Sequence, residues 1–128
     1  MSNTRLVAIV DDDESARKAL TGLVKAFGFA TAAFCSAGEF LGSPERQHTA
    51  VLIADVQMPD MTGLEFFYLL IQSDKKIPTI LITAHPNDEI RRRALQAGVH
   101  AYLPKPIDSD TLFDCLHLAL RQDRGDAG

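Results

Sequence analysis

The chain has 128 residues, of which 46% are hydrophobic, and its 17 acidic and 13 basic side chains give a formal net charge of −4. This length supports one domain with a hydrophobic core and is too short for two ordinary domains. The negative charge and the lack of a stripe of Lys and Arg argue against direct binding of nucleic acid, because phosphate contacts dominate that affinity.

The first half of the chain alternates between strand and helix patterns. An apolar run at 6–10 predicts a buried strand, and apolar residues at helical spacing predict a helix over 14–27 that Gly28 stops. A modest strand is predicted over 30–34, and Ser36 is a suitable cap for a short helix over 36–41, with a turn at 42–44. The apolar run 50–54 predicts a strand buried on both faces.

The second half repeats this alternation. Residues 63–71 are apolar almost all round, so we predict a heavily buried helix there. Pro78 marks the entry to a strand over 79–82, and Asn87 caps a helix over 88–96 that Gly98 ends and whose three arginines form a solvated face. A strand over 101–104 and an amphipathic helix over 108–120 follow.

These elements predict the fold class and the domain boundary. Five strands that alternate with five helices, without an internal repeat, indicate an α/β fold, a three-layer sandwich with right-handed crossovers. The polar, glycine-containing end of the chain resembles a frayed end or a linker stub. We therefore predict one domain over 1–122 and a flexible tail or linker stub over 123–128.

Four of the predicted strands end on reactive side chains. Asp11 and Asp12 follow the first strand, Asp55 the third, Thr83 the fourth and Lys105 the fifth. In an open parallel sheet, ligands bind in the crevice beyond the carboxyl ends of the strands. We therefore expect these side chains to converge on one pocket. Taken singly, each has an ordinary structural explanation: aspartates cap helices, threonines favour strands and Lys-Pro is a common turn.

The side chains of this predicted pocket favour phosphoryl chemistry. Asp11 and Asp12 repel each other, and a bound divalent cation allows both to stay ionised. Oxygen ligands without histidine or cysteine suit a hard ion, so we expect Mg²⁺, with Mn²⁺ as a substitute. Asp55 is then a candidate nucleophile that attacks phosphorus to form an acyl phosphate, with Thr83 and Lys105 in contact with the phosphoryl oxygens.

Cysteine and histidine do not indicate a zinc or redox site. Cys35 and Cys115 fit neither a metal-ligand spacing nor a redox pair, and we predict that both are buried free thiols. The four histidines lie far apart and match no zinc pattern. His85 lies two residues beyond Thr83 and is therefore expected at the edge of the pocket.

The strand-end residues, with those that follow the third strand, resemble the receiver domain of response regulators in two-component signalling. The resemblance runs from about residue 6 to residue 120 and is carried by Asp11-Asp12, Asp55, Met58-Pro59, Gly63, Thr83-Ala84 and Lys105-Pro106. It implies a flavodoxin-like sheet with strand order 2-1-3-4-5 and a cis peptide bond between Lys105 and Pro106.

The resemblance also implies a role for each site residue. Asp55 is the phosphoacceptor, and Asp12 and the main-chain carbonyl of Gln57 bind Mg²⁺ directly together with Asp55. Asp11 acts on the ion largely through water. Thr83 and Lys105 hold the phosphoryl oxygens. Arg17 fits the family pattern if Asp11 and Asp12 are the acidic pair, which leaves Asp13 as an accessory acid.

The family further implies a conformational switch. Phosphorylation of Asp55 draws the Thr83 hydroxyl inward, and the Tyr102 ring turns into the vacated space. The output surface is then the fourth helix, the fifth strand and the fifth helix. An ordinary strand aromatic remains the alternative explanation of Tyr102. Gln57 and His85 flank the acyl phosphate by analogy, so we expect them to set its lifetime.

The partners follow from the same resemblance. A sensor histidine kinase supplies the phosphoryl group, and the segment 34–41 is similar to FixJ-type receivers, which usually precede a DNA-binding domain. The chain is either part of a longer transcription regulator, which we favour, or a stand-alone receiver. Phosphorylation-dependent homodimerisation is expected from the family. No stretch spans a membrane and no signal peptide is evident, so we expect a cytoplasmic protein without membrane association.

Two other classes of protein remain as alternatives. A haloacid-dehalogenase-like phosphohydrolase also uses a strand-end aspartate with Mg²⁺, but it requires a second aspartate two residues on, where this chain has Gln57. A receiver-like interaction module that works without phosphorylation is the other alternative. The chain is expected to be a switch with self-catalysed phosphorylation and dephosphorylation, and not a turnover enzyme.

Overall fold

Strands and helices alternate along the chain in the predicted order. The computed structural model describes residues 5–73 and 76–127, and of 122–127 it describes the backbone. The strands are β1 Leu6–Val10, β2 Ala30–Phe34, β3 Thr49–Asp55, β4 Thr79–Thr83 and β5 Ala101–Pro104. The helices are α1 Glu14–Ala26, α2 Ala37–Leu41, α3 Gly63–Ile71, α4 Asp88–Ala97 and α5 Ser109–Ala127, and a short 3-10 helix spans Pro44–His48.

The five strands form one parallel sheet in the order β2-β1-β3-β4-β5, which confirms the predicted fold class and strand order. Val10 of β1 pairs with Ala54 of β3, and Asp55 pairs with Ile82 of β4. The ends of β4 and β5 are paired in the same way. This register places the carboxyl ends of the strands side by side at one edge of the sheet.

Each face of the sheet carries its own hydrophobic core. In β1, Ala8 and Val10 belong to a core shared with α2, α3 and α4, whereas Val7 and Ile9 belong to a core shared with α1 and α5. Successive strand residues point to opposite faces, so this alternation is expected. Because helices cover both faces, β1 and residues 50–54 of β3 are continuous apolar runs without polar alternation.

Helix α3 is less buried than its sequence predicts. Its residues Phe66, Phe67 and Leu70 pack into the core, but Leu69 and Ile71 are 45% and 39% exposed. The prediction of a heavily buried helix is therefore wrong for the side of α3 that carries Leu69 and Ile71. A helix that covers one layer of a sandwich contacts the sheet along one stripe, and its opposite side faces solvent whatever residues it carries.

Two other elements depart from the sequence prediction. The 3-10 helix Pro44–His48 replaces the simple turn expected near Pro44, since one short turn leaves no apolar period to detect. Helix α5 runs to Ala127, beyond the predicted end at residue 120. The prediction ended too early because the last residues of this helix carry no apolar pattern. The predicted boundary at residue 122 lies within this helix and stays a prediction, and Gly128 lies outside the described residues.

The cysteines differ from each other in burial. Both are free thiols, but Cys35 is exposed, so its predicted burial is wrong. Cys35 follows the edge strand β2 and lies outside the sheet. Cys115 is partly buried, and this burial together with the charge of Asp114 raises the pKa of its thiol. Across the described ranges, no helix combines the length and apolar character that crossing a membrane requires.

Candidate functional site

Three of the predicted acids meet at the carboxyl edge of the sheet. Asp11 is fully buried and Asp55 is 8% exposed, whereas Asp12 is exposed. One carboxylate oxygen from each of the three lies within 4.8 Å of the others. The parallel register produces this cluster, since Asp11 follows β1 and Asp55 ends the neighbouring strand β3.

Lys105 joins two of these acids. Its Nζ donates to Oδ2 of Asp11 and to Oδ2 of Asp55, each at 3.0 Å. Its main-chain N–H donates to the carbonyl of Thr83 at 2.7 Å, which fixes the start of the loop after β5 against the end of β4. The peptide bond between Lys105 and Pro106 is cis, as the family resemblance implied.

The surroundings of Lys105 favour its charged form. Burial opposes the ammonium charge and by itself lowers the pKa of Lys105. The hydrogen bonds to Asp11 and Asp55 and the charges of these two carboxylates act in the opposite direction and outweigh it, so the pKa of Lys105 is raised above its ordinary value. The site therefore contains a stable ammonium between two carboxylates.

Main-chain N–H groups of the loop after β3 fix the position of Asp55 and of the residue that follows it. Oδ1 of Asp55 accepts from the N–H of Gln57 at 3.0 Å, and the N–H of Gly63 donates to the carbonyl of Val56 at 2.7 Å. A Cβ at Gly63 would lie 2.7 Å from the main-chain oxygen of Asp55. Because this is closer than real Cβ atoms approach, a glycine at the start of α3 allows the helix to pack against β3.

The loop after β1 is organised around Asp11. Its Oδ1 accepts from the N–H of Asp13 at 3.0 Å, and its main-chain carbonyl accepts from Nη1 of Arg17 at 2.8 Å. The Asp13 side chain accepts from the N–H of Ser15 and caps α1. Asp13, predicted as an accessory acid, is therefore a helix cap, whereas Arg17 supports the loop that carries the acidic pair.

Thr83 and Tyr102 both contact the loop between β4 and α4. Thr83 is buried, and its hydroxyl accepts from the N–H of His85 at 2.9 Å. Tyr102 is 8% exposed, and its hydroxyl accepts from the N–H of Asn87 at 3.1 Å. The Tyr102 ring thus lies inside the molecule in this structure. His85 and Gln57 are exposed, at the rim of the site.

The donor set fits a hard divalent cation. Asp11, Asp12 and Asp55 offer carboxylate oxygens at close quarters, and Lys105 balances one of their three charges. Oxygen ligands of this kind suit Mg²⁺, which takes one or two carboxylates and keeps several waters. The residues present are therefore suitable for the ion that the sequence implies.

One contact near the site could not be read from the sequence. The N–H of Gly38, in α2, donates to Oδ2 of Asp60, in the loop after β3, at 2.9 Å. The two residues are separated by 22 positions, and neither belongs to a motif that signals such a pairing. Only the adjacency of α2 and this loop in the folded chain reveals it.

The chain is similar to known proteins over most of its length. A family model described as the response regulator receiver domain matches residues 7–117. Nodulation protein W of Bradyrhizobium diazoefficiens is 35% identical over 123 residues, which cover 96% of this chain and 54% of that protein. The transcriptional regulatory protein FixJ of Rhizobium meliloti is 34% identical over 113 residues, which cover 88% of this chain and 55% of that protein.

A solved structure supports the same relationship. The crystal structure of FixJ-N aligns with a TM-score of 0.83 at 32% identity, over 94% of this chain and 96% of that one. The chain spans about half the length, or less, of the curated relatives that it matches. The shared region therefore corresponds to one part of those longer proteins.

Proposed function

The chain belongs to the response regulator receiver domain family of two-component systems, and from this membership we propose that Asp55 accepts a phosphoryl group from a sensor histidine kinase in a Mg²⁺-dependent reaction. One observation carries the proposal. Asp55 ends β3 beside two further carboxylates, with its Oδ2 3.0 Å from Nζ of Lys105. The proposal is supported because a carboxylate, two further acidic side chains and a lysine ammonium share one crevice.

In the proposed reaction, an oxygen of the Asp55 carboxylate attacks phosphorus. The P–N bond to the kinase histidine breaks as the new P–O bond forms, and the product is an acyl phosphate on Asp55. Lys105 lies within reach of the incoming phosphoryl oxygens, and the Thr83 hydroxyl donates to one of them. A bound Mg²⁺ supplies neutralisation of the charge on these oxygens.

The residues that would hold the ion follow the family pattern. Asp12, Asp55 and the main-chain carbonyl of Gln57 bind it directly, and Asp11 acts through water. Asp11 is fully buried, and its two oxygens accept hydrogen bonds from the N–H of Asp13 and from Lys105. The exposed Asp12 is open to solvent and to an arriving ion.

The proposed switch uses Thr83 and Tyr102. The Thr83 hydroxyl can donate to a phosphoryl oxygen while it accepts from His85, since a hydroxyl has one proton and two lone pairs. Tyr102 already lies inside, so phosphorylation is proposed to hold it there and stabilise one arrangement of the surface formed by α4, β5 and α5. A nearly complete switch requires about 5.5 kcal/mol of preference for the active state.

The test of the switch is a Tyr102→Ala variant. We expect it to accept the phosphoryl group and to lose the phosphorylation-dependent change in partner affinity. Normal phosphorylation together with a normal change in affinity would refute the role of Tyr102.

Gln57 and His85 are proposed to set the lifetime of the acyl phosphate. Substitution of both residues without a change in the hydrolysis rate of the acyl phosphate would refute that role.

The longer relatives suggest the output. We propose that the receiver unit ends near residue 122, that 123–128 link it to a DNA-binding output domain in a cytoplasmic transcription regulator, and that phosphorylation promotes a homodimer through α4, β5 and α5. The names of FixJ and of related regulators support this proposal, as does the share of their length that this chain matches.

Intact mass after incubation with acetyl phosphate tests the central proposal. With Mg²⁺ we expect a gain of one phosphoryl group, which is absent without the ion and absent in an Asp55→Asn variant. A folded chain that gains no mass would favour an interaction module that works without phosphorylation. Steady release of phosphate from varied phosphoesters would instead favour a hydrolase.

A further inference from the structure

The corner between β2 and α2 is bonded to both acid-bearing loops of the site. The carbonyl of Phe34, at the end of β2, accepts from the N–H of Asp11 at 3.1 Å. Four residues later, the N–H of Gly38 donates to Oδ2 of Asp60 at 2.9 Å. Residues 34–39, called the β2–α2 corner below, therefore lie between the loop that carries Asp11 and the loop that follows Asp55.

This corner is well anchored. The Ser36 hydroxyl accepts from the N–H of Glu39 at 3.1 Å, and Oε1 of Glu39 accepts from the N–H of Cys35 at 2.7 Å. Next to it, Phe40 is fully buried, and its ring centroid lies 5.4 Å from that of Phe34. The N–H of Gly38 is thus presented from a segment fixed by two local hydrogen bonds and by the core.

The contact to Gly38 lies in the middle of the loop between β3 and α3. One hydrogen bond ties each end of this loop: the N–H of Gln57 donates to the side-chain Oδ1 of Asp55 at the start, and the N–H of Gly63 donates to the carbonyl of Val56 at the end. Asp60 lies between these ties, three residues beyond Gln57, whose carbonyl is the proposed main-chain ligand of the ion. A hydrogen bond from Asp60 to a fixed amide reduces the number of conformations open to this loop.

We propose that Asp60 is a positioning residue for the cation site, because its bond to the Gly38 amide holds the β3–α3 loop in the shape in which the Gln57 carbonyl faces the ion. This inference rests on the proposed Mg²⁺ site. Loss of a residue that supports a metal ligand typically lowers the affinity for the metal by about tenfold or more. Asp60 and Gly38 are both exposed, so we expect an effect at the lower end of that range.

A pair of variants separates geometry from charge. Asp60→Asn keeps a side-chain oxygen that can accept from Gly38 and removes the negative charge, whereas Asp60→Ala removes both. Asp114→Ala is the matched control, since Asp114 is an exposed aspartate of α5 outside the site. Circular dichroism confirms that each variant is folded.

Titration calorimetry with MgCl₂ measures the affinity of the full chain. We expect the dissociation constant to rise about tenfold in Asp60→Ala and to stay within about twofold of the wild type in Asp60→Asn and Asp114→Ala. Equal weakening in Asp60→Ala and Asp60→Asn would show a charge effect and overturn the proposal. An unchanged constant in Asp60→Ala would overturn it as well.

Amide hydrogen exchange on the metal-free chain tests the same bond without the ion. Exchange at the Gly38 amide should be faster in Asp60→Ala than in the wild type and in Asp60→Asn, and equal rates in all three would overturn the positioning role. The two proposals fail in distinguishable ways. A wild type that binds no Mg²⁺ refutes the cation site, whereas a wild type that binds with the affinity of Asp60→Ala refutes the role of Asp60 alone.

Discussion

Lys105 shows how a single side chain allows two acids to share a largely buried crevice. Asp11 is fully buried, and a buried carboxylate requires a partner charge or hydrogen bonds. Nζ of Lys105 provides both to Asp11 and to Asp55 at 3.0 Å. Removal of the lysine leaves two neighbouring carboxylates without their common cation. We expect this to lower the free energy of unfolding by more than the loss of a surface ion pair does.

The raised pKa of Lys105 predicts a specific loss of stability at alkaline pH. Its folded-state pKa lies above the ordinary value of 10.5, so its contribution to stability is fully present below that value and is lost as pH rises through the folded-state pKa. We expect Lys105→Met to be less stable than the wild type at neutral pH and this difference to shrink above pH 10.5. Urea unfolding at a series of pH values measures it.

The control for this prediction is Lys25→Met, which removes the same charge from an exposed position on α1. Comparison with this variant corrects for the general loss of one positive charge. A difference between the wild type and Lys105→Met that grows above pH 10.5 would contradict the raised pKa.

The Tyr102 hydroxyl links the proposed switch to the start of α4. It accepts from the N–H of Asn87, the residue that caps this helix. Tyr102→Phe keeps the ring and removes the acceptor, so we expect a loss of about 0.5–1.5 kcal/mol in the free energy of unfolding and faster amide exchange at Asn87. Tyr68→Phe, at an exposed tyrosine of α3, is the matched control and should change neither. Unchanged exchange at Asn87 in Tyr102→Phe would contradict the link.

At the scale of elements, the start of α3 depends on a residue without a side chain. A Cβ at Gly63 would lie 2.7 Å from the main-chain oxygen of Asp55 and 3.0 Å from Cδ2 of Leu81. Gly63→Ala must therefore push the helix away from β3. We expect it to lower the free energy of unfolding by about 1–3 kcal/mol, measured by urea unfolding, and to slow phosphorylation by acetyl phosphate.

Gly22→Ala is the control for this substitution. Gly22 lies inside α1, and apart from the helix's own backbone no heavy atom lies within 4 Å of the position of its Cβ. Alanine favours a helix interior over glycine by about 0.8–1.0 kcal/mol, so this variant should be more stable than the wild type. Equal effects of the two substitutions would show that the close approach at Gly63 is unimportant.

The elements also show which features a sequence can predict. β1 and β2 match their predicted bounds. β1 is a buried parallel strand, and such strands carry uninterrupted apolar runs. β2 lies at the edge of the sheet and is buried only at Phe34, so its pattern is weaker. The convergence of Asp11, Asp55 and Lys105 followed from their positions at strand ends, since a parallel sheet brings those ends together. The exposed side of α3 and the bond from Gly38 to Asp60 could not be predicted, because both depend on which segments become neighbours in the folded chain.

At the scale of the whole molecule, we expect the acid cluster to couple the stability of the fold to the proposed cation. One oxygen of each of Asp11, Asp12 and Asp55 lies within 4.8 Å of the others, and like charges at this distance oppose folding. A cation that binds only the folded chain adds stability that grows with its concentration, about 2.7 kcal/mol at one hundred times the dissociation constant. We therefore expect the same three carboxylates to destabilise the fold without the ion and to stabilise it when the proposed ion is bound.

Asp12→Ala separates these two effects, because Asp12 is exposed and its loss leaves no cavity. Without Mg²⁺ we expect the variant to match the wild type or to exceed it by up to about 1 kcal/mol, since one repulsive charge is gone. With Mg²⁺ in excess, the wild type should gain more stability than the variant and become the more stable of the two. Thermal unfolding with and without MgCl₂ measures this reversal, and Asp114→Ala should follow the wild type in both conditions. Equal gains in the wild type and in Asp12→Ala would mean that the ion acts elsewhere on the chain, whereas the reversal would tie the stability of the whole fold to its acidic cluster.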